Sequence, residues 1–210
     1  MARKKFCDNI SFYMTYVIAG LGNPGEKYER SRHNAGRRAA LFFAEKNGFP
    51  EWKEDKKLKI LKADGKIGSE KTAVVLPDDF MNNSGKSLKP LIKTAKAAER
   101  LAIIHDDLDL PLGKMKISFG RSSGGHKGVE SVIKNLRTKD FIRIRIGISP
   151  ESAKGAARKP KGQEMVQKFI LGNFSPDDEI VLKKVLKKVS EALESIIAES
   201  RETAMNKFNS

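Results

Sequence analysis

The sequence predicts an α/β protein, a three-layer α/β/α sandwich around a central, twisted, mixed but mostly parallel sheet. Three observations predict it. Strand-like and helix-like segments alternate from residue 16 to residue 149, the pattern of a sheet covered by helices. The chain has 210 residues, of which 39% are hydrophobic, enough for one large core with no need of a second. No internal repeat is present.

The elements follow in order. Residues 16–20 read as a buried strand that runs into Gly20-Leu21-Gly22-Asn23-Pro24-Gly25. "AGRRAALFFAEKNGF" reads as a helix with its apolar face from Ala40, Leu41, Phe43 and Ala44, beginning near Ala39 and stopped by Gly48. The charged stretch 51–72 reads as a hairpin around "ADGKIG". "TAVVLP" is a strand ended by Pro77, and "NSGKSLKPLIKTAKAA" a helix opened by an Asn-Ser cap. "RLAIIHDDLDLP" is a buried strand leading into a loop, and "KMKISFG" another strand. "GGHKGVESVIKNL" is a glycine turn and an amphipathic helix, and "FIRIRIGIS" alternates as a half-buried strand does. Residues 150–168 are basic and aperiodic, and read as a mobile loop. The last clear element is a helix with Leu182, Leu186, Val189, Leu193 and Ile197 on its inner face and lysine pairs outside. Residues 1–14 are expected to be a dispensable extension, 15–200 the single domain, and 201–210 a frayed tail.

Composition narrows the function. Lys and Arg number 41 against 26 Asp and Glu, a formal charge of +15. That excess calls for a polyanionic partner such as nucleic acid, the plain alternative being lysines that serve only solubility. Cys7 is the single cysteine, so a disulfide framework and a cysteine-rich zinc site are excluded, and a reducing, cytoplasmic setting is expected. The N-terminus is interrupted by Asp8, Asn9 and Ser11 and makes a poor signal peptide. No stretch is long enough to cross a membrane as a helix, so no membrane association is expected.

The hexapeptide 20–25 satisfies G-x-G-x-x-G. A dinucleotide site would need its third glycine to open an amphipathic helix. Here Gly25 is followed by the polar "EKYERSRHNAG". A P-loop fails too, because "SGKS" lacks the upstream glycine. What remains is a turn that places Asn23 at the carboxyl end of a strand, where open α/β sheets bind ligands. His33 follows and can fold back over that edge. Asn82 and Asn83 come after a second strand, Asp106 and Asp107 after a third. A histidine with a carboxylate partner is a general base near neutral pH, and amides can support an oxyanion or a peptide backbone. With no G-x-S-x-G elbow and no candidate cysteine, the nucleophile is expected to be water. This points to hydrolysis of a reactive acyl bond, an ester more readily than an amide. The rival reading is a metal: His105, Asp106, Asp107 and Asp109 offer ligands for Mg²⁺, but strand alternation turns His105 and Asp107 away from Asp106.

Five ordered blocks resemble the bacterial-type peptidyl-tRNA hydrolase family: "GLGNPGEKYERSRHNAG", "FMNNSG", "HDDLDLPLG", "SGGHKGVESVIKNL" with "FIRIRIGI", and "FILGNF". The resemblance runs from Tyr16 to about residue 200. It implies hydrolysis of the ester between peptide and tRNA 3′ end, recycling stalled or dropped-off tRNA, with His33 as base and Asp106 holding it. It implies that Asn23 distinguishes a peptidyl group from a free amine, that Asn82 binds the substrate backbone and supports the oxyanion, and that Tyr28 and Phe80 line the cleft. It implies no metal or organic cofactor, a monomer, and contact with the tRNA acceptor arm and 3′-terminal adenosine. Two departures stand out. Lys127 takes the place where the family usually has Asn, and it would lower the pKa of a nearby His33, grip a phosphate or stabilise the oxyanion. Ser118 takes the place of a basic phosphate contact, for which Lys116 or Arg121 are substitutes, while Arg145 matches the other half of that clamp. A non-catalytic RNA-binding relative is the alternative, weighed against by retention of His33, Asp106, Asn23 and Asn82.

Overall fold

A computed structural model describes residues 15–209. The expected extension at 1–14, with Cys7, lies outside the described residues. Seven strands form one sheet in the order β2-β3-β4-β1-β5-β7-β6. They are β1 (Tyr16–Gly20), β2 (Lys53–Asp55), β3 (Ile60–Ile67), β4 (Glu70–Pro77), β5 (Leu101–Pro111), β6 (Met115–Phe119) and β7 (Ile142–Ser149). The central strands β4, β1, β5 and β7 run parallel. β2 and β3 are added antiparallel at one side and β6 at the other. The sheet is thus mixed, with a parallel heart, as the alternating pattern predicts. The hairpin foreseen in 51–72 is β3 and β4, closed by Gly68 and Ser69.

Two helical layers cover the sheet. Helices α1 (Ala35–Lys46), α6 (Pro176–Ala198) and α7 (Arg201–Phe208) lie on one face, and their apolar sides share a core with Ile18, Val74, Ile104 and Ile144. Helices α2 (Ser84–Leu88), α3 (Ala95–Ala98) and α4 (Lys127–Leu136) lie on the other, with Val17, Ala19, Val75 and Ile103. Odd and even residues of β1 thus enter different cores, the period-two consequence of a strand buried on both faces. Helix α5 (Gln163–Leu171) stands at the carboxyl edge and buries no residue. The five inner positions expected of the long helix, from Leu182 to Ile197, are all buried.

Several expectations need correction. Helix α1 begins at Ala35, and Leu41 is 39% exposed, so the inner face is Ala39, Ala40, Phe43 and Ala44. The helix after "FMNNSG" lasts five residues, because Pro90 follows its last turn. Asn83 holds the N-cap position as expected but makes no capping hydrogen bond; its amide donates to Asp79. β7 is buried along its length except at Arg145, which is half-buried, so Arg143 lies beneath cover and not on a solvated face. The 150–168 segment carries a bridge between Glu151 and Ala157 and the start of α5. The tail expected to fray is a helix, capped by Ser200 and anchored by buried Ala204 and Phe208. The two anchors, one turn apart, stand among five polar residues and Met205.

Candidate active site

The carboxyl ends of β1, β4 and β5 meet at one edge. After β1, Gly20 and Gly22 let the chain turn against α1: a Cβ built on Gly20 falls 2.5 Å from the Ala40 Cβ. Gly36 packs still closer, its built Cβ 2.2 Å from the Ile104 carbonyl oxygen. The third glycine, Gly25 (φ 95°), opens only a three-residue 3-10 turn. The glycines therefore serve close packing and a reversal. The turn is locked by Asn34, whose Oδ1 accepts from the Asn23 N–H (2.8 Å) and whose Nδ2 donates to the Asn23 carbonyl (2.9 Å).

His33 sits on the next 3-10 turn, Arg32–Asn34, 7% exposed. Its Nδ1 donates to Asp106 Oδ1 at 2.9 Å, which leaves Nε2 unprotonated. Asp106, 3% exposed near the middle of β5, takes a second donor on the same oxygen: His126 Nε2, at 2.8 Å. His126 is the N-cap of α4, its Nδ1 accepting from the Val129 N–H at 3.2 Å. That helix bond requires an unprotonated Nδ1 and so fixes the proton on Nε2. Behind it the ring of His105 lies 4.6 Å from that of His126, with its Nδ1 donating to the Asp106 carbonyl.

The electrostatics follow. Burial pushes the His33 pKa down, but the adjoining Asp106 carboxylate outweighs it and the pKa is raised above 6.5. Lys127 pulls in the opposite direction, as its charge requires, and is the weaker influence. Burial pushes Asp106 up, yet His33 and His126 together hold it well below the usual carboxylate range. Burial and the neighbouring His126 drive His105 well below its ordinary value, so it is neutral.

These groups face a cleft of about 550 Å³, of the size that takes a small-molecule fragment. Asn23, His33, Asp106 and Asn82 all line it, as do Tyr28, Phe80 and Lys127. Asn23 Oδ1 accepts from the Met81 N–H (2.9 Å), which leaves Nδ2, a donor, for the cleft. Phe80 is 57% exposed at the rim. The opposite wall is α5, through Val166, Ile170 and Leu171. Arg145 is not in the wall; its Nε donates to Asp107 Oδ2 at 2.5 Å. His126 escaped the sequence reading, although a histidine straight before a helix at a glycine turn is a signal for a cap that faces the sheet edge.

Among the described residues one group has the makings of a metal site: His33, Asp106 and His126, with ligand atoms within 4.8 Å of one another. Two imidazoles and a carboxylate suit a divalent transition ion. Their facing atoms, however, are already joined by two hydrogen bonds, and a metal would have to replace both protons. The set drawn from "HDDLD" does not gather: Asp107 pairs with Arg145 and Asp109 with Lys159.

A histidine held by a buried carboxylate at the carboxyl edge of an α/β sheet, facing an amide-lined cleft, defines the class as a hydrolase. The comparisons narrow it. The family model described as peptidyl-tRNA hydrolase matches residues 17–210. A peptidyl-tRNA hydrolase of Chloroflexus aggregans is 38% identical over 92% of this chain and 98% of its own. One from Dehalococcoides mccartyi is 37% identical over the same shares. The crystal structure of peptidyl-tRNA hydrolase from Acinetobacter baumannii superposes with a TM-score of 0.83 at 29% identity, covering 94% of this chain and 96% of that one. The chain belongs to the peptidyl-tRNA hydrolase family.

Proposed function

We propose that the cleft hydrolyses the ester that joins a peptide to the 3′ end of tRNA, with His33 as the general base. The observation that carries this reading is the 2.9 Å bond from His33 Nδ1 to a buried, ionised Asp106. It leaves Nε2 free as the acceptor and supplies a counter-charge for the imidazolium that forms.

Water gives a proton to His33 Nε2 as its oxygen attacks the ester carbonyl. Asn82 steadies the oxyanion, and Lys127 is exposed at the same cleft. The C–O bond to the ribose then breaks, and His33 returns its proton to the leaving 3′ oxygen. The products are a free peptide carboxylate and tRNA with its terminal hydroxyl restored. Asn23 discriminates by polarity: its only free polar end is a donor, which suits a peptide carbonyl and repels the ammonium of an aminoacyl group. Tyr28 and Phe80 offer faces to the terminal adenosine and the first peptide residues.

The +15 charge suits the acceptor arm, whose phosphates meet surface Lys and Arg, with affinity falling steeply as salt rises. Arg145 contributes there only by sharing itself with Asp107. Among the described residues no helix is long and apolar enough to cross a membrane. The direct test is release of peptide from N-blocked aminoacyl-tRNA in EDTA, with His33→Ala beside the wild type. Turnover that survives EDTA and disappears in His33→Ala, while tRNA binding persists, supports the reading. Salt-sensitive binding without turnover in the wild type replaces it with an RNA-binding role.

A further inference from the structure

The "FILGNF" segment, Phe169–Phe174, takes no part in the chemistry above. Its two rings nevertheless converge on a single side chain. The Arg32 guanidinium lies 4.5 Å from the Phe169 ring centroid and 5.5 Å from that of Phe174. Its NH2 also pairs with Asp178 Oδ2 at 3.3 Å. The main chain repeats the connection. Arg32 N–H donates to the Gly172 carbonyl (3.0 Å), Phe174 N–H donates to the Arg30 carbonyl (3.3 Å), and Ser31 and Asn173 form an antiparallel bridge.

Arg32 stands between two parts of the cleft. On its carboxyl side is His33, the base. Across it is α5, which supplies one wall through Val166, Ile170 and Leu171 yet buries no residue of its own. A helix without buried residues has little packing to fix its position. Its attachments at the carboxyl end are the Gly172 ladder, the stack on Arg32 and the partly buried Phe169 and Ile170, which pack against the core. The far side is firm: Asp178 belongs to the capping box of α6, and Phe174 is buried, with Arg38 5.8 Å from the ring and bidentate on Glu179. A planar guanidinium is suited to stacking on an aromatic face while it holds a carboxylate, better than the point charge of a lysine.

We propose that Arg32 is a positioning residue that clasps the α5 wall to the turn carrying His33. The attitude of the base and the width of the cleft are then set together. The proposal rests on His33 being the base. Arg32 touches neither water nor ester; it acts through His33 and through Phe169.

The test measures kcat and KM on N-blocked aminoacyl-tRNA for Arg32→Gln, Arg32→Lys, Phe169→Leu and the double variant Arg32→Gln/Phe169→Leu. Arg32→Gln is expected to lower kcat about tenfold and raise KM severalfold, since small displacements of a reacting group cost rate. Phe169→Leu should act mainly on KM. Arg32→Lys keeps charge opposite Asp178 and should recover only part of the loss. The double variant should be no worse than Arg32→Gln, because both remove one clasp. Folded Arg32→Gln with kcat and KM within about twofold of wild type overturns the proposal, as do full rescue by Lys or losses that multiply in the double variant. Should Arg32→Gln fail to fold, Phe169→Leu carries the test alone, and an unchanged KM overturns the clasp. His33→Ala run alongside separates the two readings. Turnover surviving there overturns the base assignment, whereas the KM response of Phe169→Leu belongs to the clasp.

Discussion

Replacing Asp106 by Asn tests the electrostatic heart of the site with little change of shape. Asparagine can present its carbonyl oxygen to both His33 Nδ1 and His126 Nε2, which lie 2.9 and 2.8 Å from the present Oδ1. What it removes is the charge. Two unit charges about 4 Å apart attract by about 4 kcal/mol at an effective dielectric constant of about 20. Converting a charge-assisted hydrogen bond to a neutral one loses about 1 to 1.5 kcal/mol. The imidazolium formed in the transition state should therefore lose about 1.5 to 4 kcal/mol, a fall in kcat of about 10- to 1000-fold. KM should barely move, because the carboxylate is directed at two imidazoles. The pH profile must shift as well. Asp106 is what holds the His33 pKa above 6.5 against burial and Lys127. Without it the acid limb of kcat/KM should move below that value. Single-turnover peptide release across pH, wild type against Asp106→Asn, reads both effects. A loss under about threefold, a loss confined to KM, or an acid limb that moves upward would refute the reasoning.

Other outcomes follow from the same geometry. Lys127→Asn removes the cation that lowers the His33 pKa, so the acid limb should rise further, with activity at alkaline pH kept or increased; a steep loss at every pH would give Lys127 a role of its own. His126→Ala deletes the α4 cap and one of two donors to Asp106, and should cost about 1 to 3 kcal/mol of stability by denaturant titration. His126→Asn should restore the cap but not the reach. Gly36→Ala forces a methyl toward the Ile104 carbonyl and should destabilise by about 1 to 3 kcal/mol. Asp106 has a folded pKa below its ordinary 3.8, so its contribution to stability is present above that pH and lost as pH falls toward the folded value. Asp106→Asn should accordingly flatten the acid arm of the stability curve.

The parallel heart of the sheet was readable because Val17-Ile18, Val74-Val75 and Ile103-Ile104 are short β-branched runs bounded by turns. The meeting of His33 with a carboxylate of the third strand was readable because strand ends converge; that the carboxylate is Asp106 followed from the family resemblance. Chemistry that depends on one ring facing another was not. His126 sits in the glycine-turn motif, yet its bond to Asp106 spans 20 residues, a distance no local pattern announces. Arg32 was invisible because a cation that stacks has no sequence period. Helix α7 was missed because two buried residues in eight leave almost no amphipathic signal.

β6 ends the sheet, and an outermost strand exposes main-chain donors and acceptors that another chain can copy. At Ile117 both groups are taken. Asn209 Oδ1 accepts from the Ile117 N–H at 2.7 Å, and Asn209 Nδ2 donates to the Ile117 carbonyl at 2.9 Å. A single carboxamide thus impersonates the neighbouring peptide unit that an eighth strand would supply. The helix delivering it, α7, is therefore a bolt on the margin of the sheet, and the residue that ends it occupies the backbone groups through which another strand would pair there.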